Sequence, residues 1–178
     1  GQVKKTLLEQ YSRPRANGIN AITIKDEDEL LEAKLTTGNS QILLAVKSGK
    51  AIRFEEDKTR PMGRSASGVR GITLNGPSDE VLGMVSVSDS ETEILVVSEN
   101  GYGKRSSLDD YRTTNRGGKG VKTLSITDKT GDLVSIKNVS DLDDLMIINK
   151  SGIAIRMDVA DLRVMGRATQ GVKLINLK

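Results

Sequence analysis

Short aliphatic runs, Ile42 to Val46, Ile94 to Val97 and Leu145 to Ile148, set the rhythm of this chain, and each is too short to form a helix face. Each leads into Ser48-Gly49, Asn100-Gly101 or Ser151-Gly152, dipeptides suited to the positive φ of a tight hairpin turn. A second run follows every turn, so the pattern predicts hairpins that recur in phase. Upstream runs, Leu30 to Leu35, Val81 to Val87 and Leu133 to Val139, predict a third strand per unit. The apolar stretch after a later glycine predicts a fourth.

Aligned on the turn glycines, the chain resolves into a segment that occurs four times: GQVKKTLLEQYSRPRANGINAITI from Gly1, GKAIRFEEDKTRPMGRSASGVRGITL from Gly49, GYGKRSSLDDYRTTNRGGKGVKTLSI from Gly101 and GIAIRMDVADLRVMGRATQGVKLINL from Gly152. The leading glycines step by 48, 52 and 51 residues; a second glycine (Gly18, Gly68, Gly120, Gly171) follows after 17 residues in the first copy and 19 in the others. Four strands in roughly 50 residues is the signature of a propeller blade. The expected fold is therefore all-β, a β-propeller-like partial array of about four blades of four antiparallel strands. No Pro/Gly/Ser-rich tract interrupts it, so residues 1–178 are expected to form a single array with repeats at about 1–48, 49–100, 101–151 and 152–178. Copy one lacks a preceding hairpin strand and copy four stops after its last strand, the expectation for a piece of a longer array.

Composition narrows the chemistry. Aromatic residues make up 2% of the 178, so the core must be aliphatic. With neither Cys nor His there is no disulfide framework, thiolate, imidazole base or ordinary zinc site, and no catalytic residue, metal site or cofactor is expected. Glu55-Glu56-Asp57 and Asp143-Asp144 bring carboxylates together, but neighbours on a strand point to opposite faces. GRSASG and GRATQG lack the following Lys-Ser/Thr of a P-loop. No apolar run approaches the roughly 18 residues of a membrane span, and there is no signal-peptide layout; no membrane partner is expected, and the reading is cytoplasmic.

Charge is distributed unevenly. The four repeat segments hold 20 Lys/Arg and 8 Asp/Glu, whereas the rest of the chain holds 7 and 16. The fourth residue after each leading glycine is a cation: Lys5, Arg53, Arg105 and Arg156. Lys4, Lys50 and Lys104 lie beside that position or near it. Loop cations follow at Arg13, Arg15, Arg60, Arg64, Arg112, Arg116, Lys119, Arg163 and Arg167, and beyond the second glycine come Arg70, Lys122 and Lys173.

Such repetition predicts a stripe of cations along one edge, the electrostatic footprint of a phosphate backbone. The scarcity of aromatic rings argues against stacking of single-stranded bases and for duplex DNA. Gly117 and Gly118 join the candidates because backbone without Cβ can approach a phosphate closely. Turn geometry alone is an equal account of the glycines. The bland account of the fourth-position cation is a solvated strand end balanced by Glu55, Asp109, Asp110 and Asp158. A disc of about six blades would turn a path by roughly 60° per blade, near the ~45° per helical turn of nucleosomal DNA. A protein-interaction scaffold is the rival from another class, and it predicts an acidic partner.

The segments GQVKKT, GKAIRF with RPMGRSASGVRGI, NGYGKRSSLDDY and GRATQGVKLI closely resemble the C-terminal domain of the bacterial DNA gyrase A subunit, over essentially the whole chain. The resemblance implies a β-pinwheel, in which adjacent blades exchange a strand. It also implies wrapping of double-stranded DNA around a basic rim in support of negative supercoiling, with the rest of the gyrase A subunit and the gyrase B subunit as partners in an ATP-dependent enzyme. The family's Gln-Arg-Arg-Gly-Gly-Lys/Arg-Gly box is present only in degenerate form: Arg116, Gly117, Gly118, Lys119 and Gly120 match its end, while Thr114 and Asn115 replace its start. That implies the first blades lie outside this chain, and none of its tyrosines matches the catalytic one. The corresponding domain of topoisomerase IV is the alternative within the family.

Overall fold

A computed structural model describes residues 1–88 and 92–177, and among them every regular element is a strand or a short 3-10 turn. The strands are β1 (Gln2–Val3), β2 (Gln41–Val46), β3 (Lys50–Glu55), β4 (Val69–Arg70), β5 (Val81–Val87), β6 (Glu93–Ser98), β7 (Tyr102–Ser107), β8 (Val121–Lys122), β9 (Leu133–Val139), β10 (Asp144–Ile148), β11 (Ala154–Asp158) and β12 (Val172–Lys173). No described helix is long and apolar enough to cross a membrane.

The predicted hairpins are β2–β3, β6–β7 and β10–β11, all antiparallel. Gly49 and Gly101 turn the first two with φ of 80° and 77°, where a side chain would be strained. Two four-stranded sheets form, in the orders β5-β2-β3-β8 and β12-β7-β6-β9. Their fourth strands come from the following repeat: β8 of copy three pairs with β3 of copy two, and β12 of copy four pairs with β7 of copy three. The short β1–β4 ladder repeats the same exchange between copies one and two. Adjacent units thus complete one another, as the resemblance implied.

Four strands per unit holds for the two middle units, and the outer two differ. Leu30 to Leu35, expected to be a strand, is unpaired and exposes Leu30, Leu31 and Leu35. The equivalent strands β5 and β9 pair with β2 and β6, which precede them in the chain, whereas no described strand pairs with Leu30 to Leu35. Strand preference is realised only against a partner. The fourth strand of each unit is also shorter than its apolar stretch suggests, two residues where it forms.

The core lies between the sheets. Leu43 and Val85 from one, Ile94 and Ile136 from the other, and Leu108 and Tyr111 from the intervening loop share one buried cluster. Burial pushes the Tyr111 phenol up to about 12, and its hydroxyl is satisfied by Thr123.

Candidate nucleic-acid interface

The fourth-position cation does not line an open edge; in three units of four it turns into the joint with the next unit. The backbone explains why. Lys5, Arg53 and Arg105 form parallel bridges to Pro61, Thr113 and Val164 of the following copy, so their side chains start out inside the contact between units. Lys5 Nζ donates to Glu56 O (2.9 Å) and lies 3.7 Å from the Glu56 carboxylate. Arg53 donates to Leu108 O (2.8 Å) and Tyr111 O (2.9 Å). Arg105, 6% exposed, donates to Leu162 O and Ala160 O (3.4 Å), and pairs with Glu93 (2.7 Å) and Asp141 (2.5 Å). Every one of these acceptors but Glu93 and Asp141 lies in or beside the 3-10 turn that opens the next unit's loop, Glu56–Lys58, Leu108–Asp110 or Val159–Asp161. These cations were expected on a DNA-facing edge; in the structure their hydrogen bonds hold adjacent units together. Arg156 alone stays exposed, paired with Asp144 of its own hairpin.

A second row works in the opposite direction. Arg116 donates to Lys58 O (2.9 Å) and Arg70 O (3.0 Å) of the preceding unit; Arg167 donates to Asp110 O (2.8 Å) and Lys122 O (2.8 Å). Arg64, at the same place in copy two, donates to Asn20 O (3.0 Å). These arginines were expected on the phosphate-facing stripe; they tie each loop to the unit before it, with their guanidinium groups partly exposed.

The residue before the fourth-position cation alternates, Lys4, Ile52, Lys104, Ile155, and the structure supplies the reason. Lys104, 1% exposed, reaches Gly166 O (2.6 Å) and Thr169 Oγ1 (3.1 Å) in the loop of copy four, and Lys4 reaches Arg64 O in the loop of copy two. Desolvation pushes the Lys104 ammonium down to about 8. Ile52 instead meets the loop of copy three at Gly118, where a Cβ would lie 3.5 Å from its Cδ1. Lys104, expected among the DNA-facing cations, is buried in the joint between copies three and four. The glycines serve the same joints. A Cβ on Gly120, whose φ is 71°, would lie 2.5 Å from Ala51 O, and one on Gly49 would lie 2.5 Å from Ile126 Cγ1. Gly117 N–H donates to Gly71 O (2.6 Å), and the Gly118 carbonyl accepts from Thr73 N–H (2.9 Å), so both glycines are engaged with the preceding unit.

What remains is a smaller and more regular set. Arg13, Arg15, Arg60, Arg70, Arg112, Lys119, Lys122, Arg163 and Lys173 are exposed, Lys50 is half-exposed, and among the described residues their side chains have no ion-pair or hydrogen-bond partner. Arg60, Arg112 and Arg163 each adjoin the residue that bridges back to the preceding unit, so each joint carries one spent cation and one free cation on the same bridge. Arg70, Lys122 and Lys173 occupy equivalent places on β4, β8 and β12. Lys50 and Lys122 sit directly opposite each other across β3 and β8, an arrangement that repels until an anion lies over it. Two shallow depressions gather free cations: one of ≈ 200 Å³ with Arg112 and Lys119 beside Gly118, and one of ≈ 590 Å³ with Arg13 and Arg15 beside the engaged Arg64. No sequence signal separated spent from free cations, since both recur in phase.

The family model described as DNA gyrase C-terminal domain, beta-propeller, matches residues 1–37, 41–88, 92–140 and 143–178. The chain is 49% identical over 178 residues to the DNA gyrase A subunit of Staphylococcus aureus strain MRSA252, a match over 99% of this chain and 20% of that protein. It thus spans about a fifth of the length of such relatives. Among solved structures, the C-terminal domain of DNA topoisomerase IV superposes with a TM-score of 0.92 at 24% identity, covering 99% of this chain and 55% of that one. The DNA gyrase A C-terminal domain superposes with a TM-score of 0.82 at 26% identity, covering 91% and 55%.

Proposed function

Because the chain belongs to the DNA gyrase C-terminal domain, beta-propeller family, we propose that it binds duplex DNA along the row of unspent cations and bends it across successive units. The observation that carries this reading is the recurrence of free cations at two fixed places per unit, Arg60, Arg112 and Arg163 beside each joint and Arg70, Lys122 and Lys173 on the donated strands. Lys50, Lys119, Arg13 and Arg15 extend the row. A flexible cation displaces condensed counterions without needing a fixed partner, so these side chains suit a phosphate path and read no base edge. Bending is opposed by the ~150 bp persistence length, so contacts from several units must act together. In the intact enzyme the segment would hold DNA for an ATP-dependent type II topoisomerase, gyrase, that also includes the gyrase B subunit. This chain would contribute no catalytic group, and it would work on the chromosome in the bacterial cytoplasm. The 0.92 superposition on the topoisomerase IV domain comes at 24% identity and speaks to fold alone; the 49% identity to gyrase A favours gyrase.

The test is titration with duplexes of increasing length at several salt concentrations. Affinity should rise until the duplex spans the row and fall about 10³–10⁵-fold between 50 and 200 mM salt if ~6–10 phosphates are met. Affinity that ignores both length and salt, or tight binding of an acidic protein in preference to DNA, would overturn the reading.

A further inference from the structure

Three Asn-Gly pairs occur in the chain, at Asn17-Gly18, Asn75-Gly76 and Asn100-Gly101. In such a pair the backbone nitrogen of the glycine can attack the side-chain carbonyl carbon of the asparagine, since no Cβ blocks the approach. The attack needs a glycine N–H that is free to lose its proton and an asparagine side chain free to swing over it. The fold treats the three pairs differently.

Asn100 is tied down. Its Nδ2 donates to Asp128 O and Lys129 O, both at 3.2 Å, and Gly101 N–H donates to Ser98 O (3.0 Å). Gly101 is buried, and a Cβ there would lie 2.6 Å from Ile175 O, which leaves little room for the ring that the attack builds. At Asn17 the Gly18 N–H donates to Arg15 O (2.9 Å). Asn75 and Gly76 are both exposed, and among the described residues neither the Asn75 side chain nor the Gly76 N–H has a hydrogen-bond partner. A Cβ on Gly76, whose φ is 104°, would meet nothing within 4 Å. That openness belongs to the loop itself: Asp128, at the place of Gly76 in copy three, is exposed although copy two packs ahead of it. Asp79 closes the loop, accepting from Asn75 N–H (2.8 Å) and donating its own N–H to Gly76 O (3.3 Å).

We propose that Asn75 is a site of spontaneous deamidation. The Gly76 nitrogen gives up its proton and bonds to Asn75 Cγ, the Cγ–Nδ2 bond breaks, and the proton ends on the ammonia that leaves. Water then opens the succinimide ring at either carbonyl. One opening gives aspartate; the other gives isoaspartate, with the main chain routed through the former side chain. Both products add a negative charge beside Asp79 and Glu80, and isoaspartate also lengthens the main chain by a methylene inside the loop that Asp79 closes. The same Asp79 carboxylate fixes the turn ahead of β3, accepting from Ser48 N–H (2.9 Å) and Ser48 Oγ (2.9 Å). Isoaspartate at this position therefore loosens the turn that presents Lys50.

Peptide mass spectrometry of the whole chain, aged at mildly alkaline pH either folded or in urea, tests this. In urea the three sites should react at similar rates. In the folded chain Asn75 should gain one mass unit at nearly its unfolded rate and Asn17 more slowly. Asn100 should react roughly tenfold more slowly or less, because its three hydrogen bonds must break first. A methyltransferase specific for isoaspartate should label aged wild-type protein, and Asn75→Ser, which cannot form the imide, should lose most of that label. Aged wild-type protein should melt below fresh protein, whereas aged Asn75→Ser should not. Asn75 reacting no faster than Asn100 in the folded chain, or slowed as much as Asn100 by folding, would overturn the proposal. Aged protein rich in isoaspartate that melts like fresh protein would overturn the loosening of the turn.

Discussion

Replacing Arg105 by Met separates a structural cation from a DNA contact. The side chain is 7% exposed and holds two carboxylates and two carbonyls across the joint between copies three and four. Removing one partner of a buried ion pair costs about 3–5 kcal/mol. Asp141 is 71% exposed and can return to water, which discounts its share. Glu93 and the carbonyls of Leu162 and Ala160 then account for about 2–3 kcal/mol, each being left under-satisfied in a mostly dry setting. For a chain of this size that lowers the melting temperature by about 4–12 °C, at 2–4 °C per kcal/mol. Differential scanning calorimetry reads the shift, and DNA titration well below the transition reads the other half of the argument. Affinity and its salt slope should match wild type, since the Arg105 side chain is 7% exposed and four of its five donors are already bonded within the joint. Arg156→Met, at the equivalent exposed place, should leave the melting temperature unchanged. A variant that melts like wild type yet loses DNA affinity would refute the assignment of Arg105 to the joint.

Three further outcomes follow from the geometry. The triple variant Arg60→Gln, Arg112→Gln, Arg163→Gln should melt normally and lower the slope of log affinity against log salt by about 3, at ~0.9 per phosphate contact; an unchanged slope would remove this row from the interface. Gly120→Ala places a methyl group 2.5 Å from Ala51 O at positive φ and should destabilise by about 2 kcal/mol or more in urea denaturation. Lys104 titrates near 8 in the folded chain and at about 10.4 when unfolded, so between those values the unfolded state binds the extra proton and stability should rise with pH by roughly 1–3 kcal/mol. That rise should vanish in Lys104→Met; above about pH 10, Tyr111, whose folded value is pushed up to about 12, contributes a fall instead.

Hairpins, turn glycines and the in-phase repeat were legible because they depend on local chemistry: a run of aliphatics, a residue tolerant of positive φ, a second run. The direction of Arg53 and Arg105 was not. Period-two alternation puts each on one face of its strand, but whether that face meets water depends on a 3-10 turn some 55 residues later, at Leu108 or Leu162. The small residues Ala51 and Gly103, two before these cations, leave room for the next unit's loop glycines, Gly120 and Gly171. Leu30 to Leu35 has strand composition and no partner, a fact that no window of sequence contains.

The alternation of Lys4, Ile52, Lys104 and Ile155 also bears on how such an array can grow or shrink. Lysine meets a loop with a carbonyl to offer, and isoleucine meets a loop with a bare glycine. Deleting or duplicating one unit would bring a lysine against the glycine loop of copy three or an isoleucine against a loop that offers a carbonyl. Adding or removing two units together, about 100 residues, would keep both kinds of joint matched.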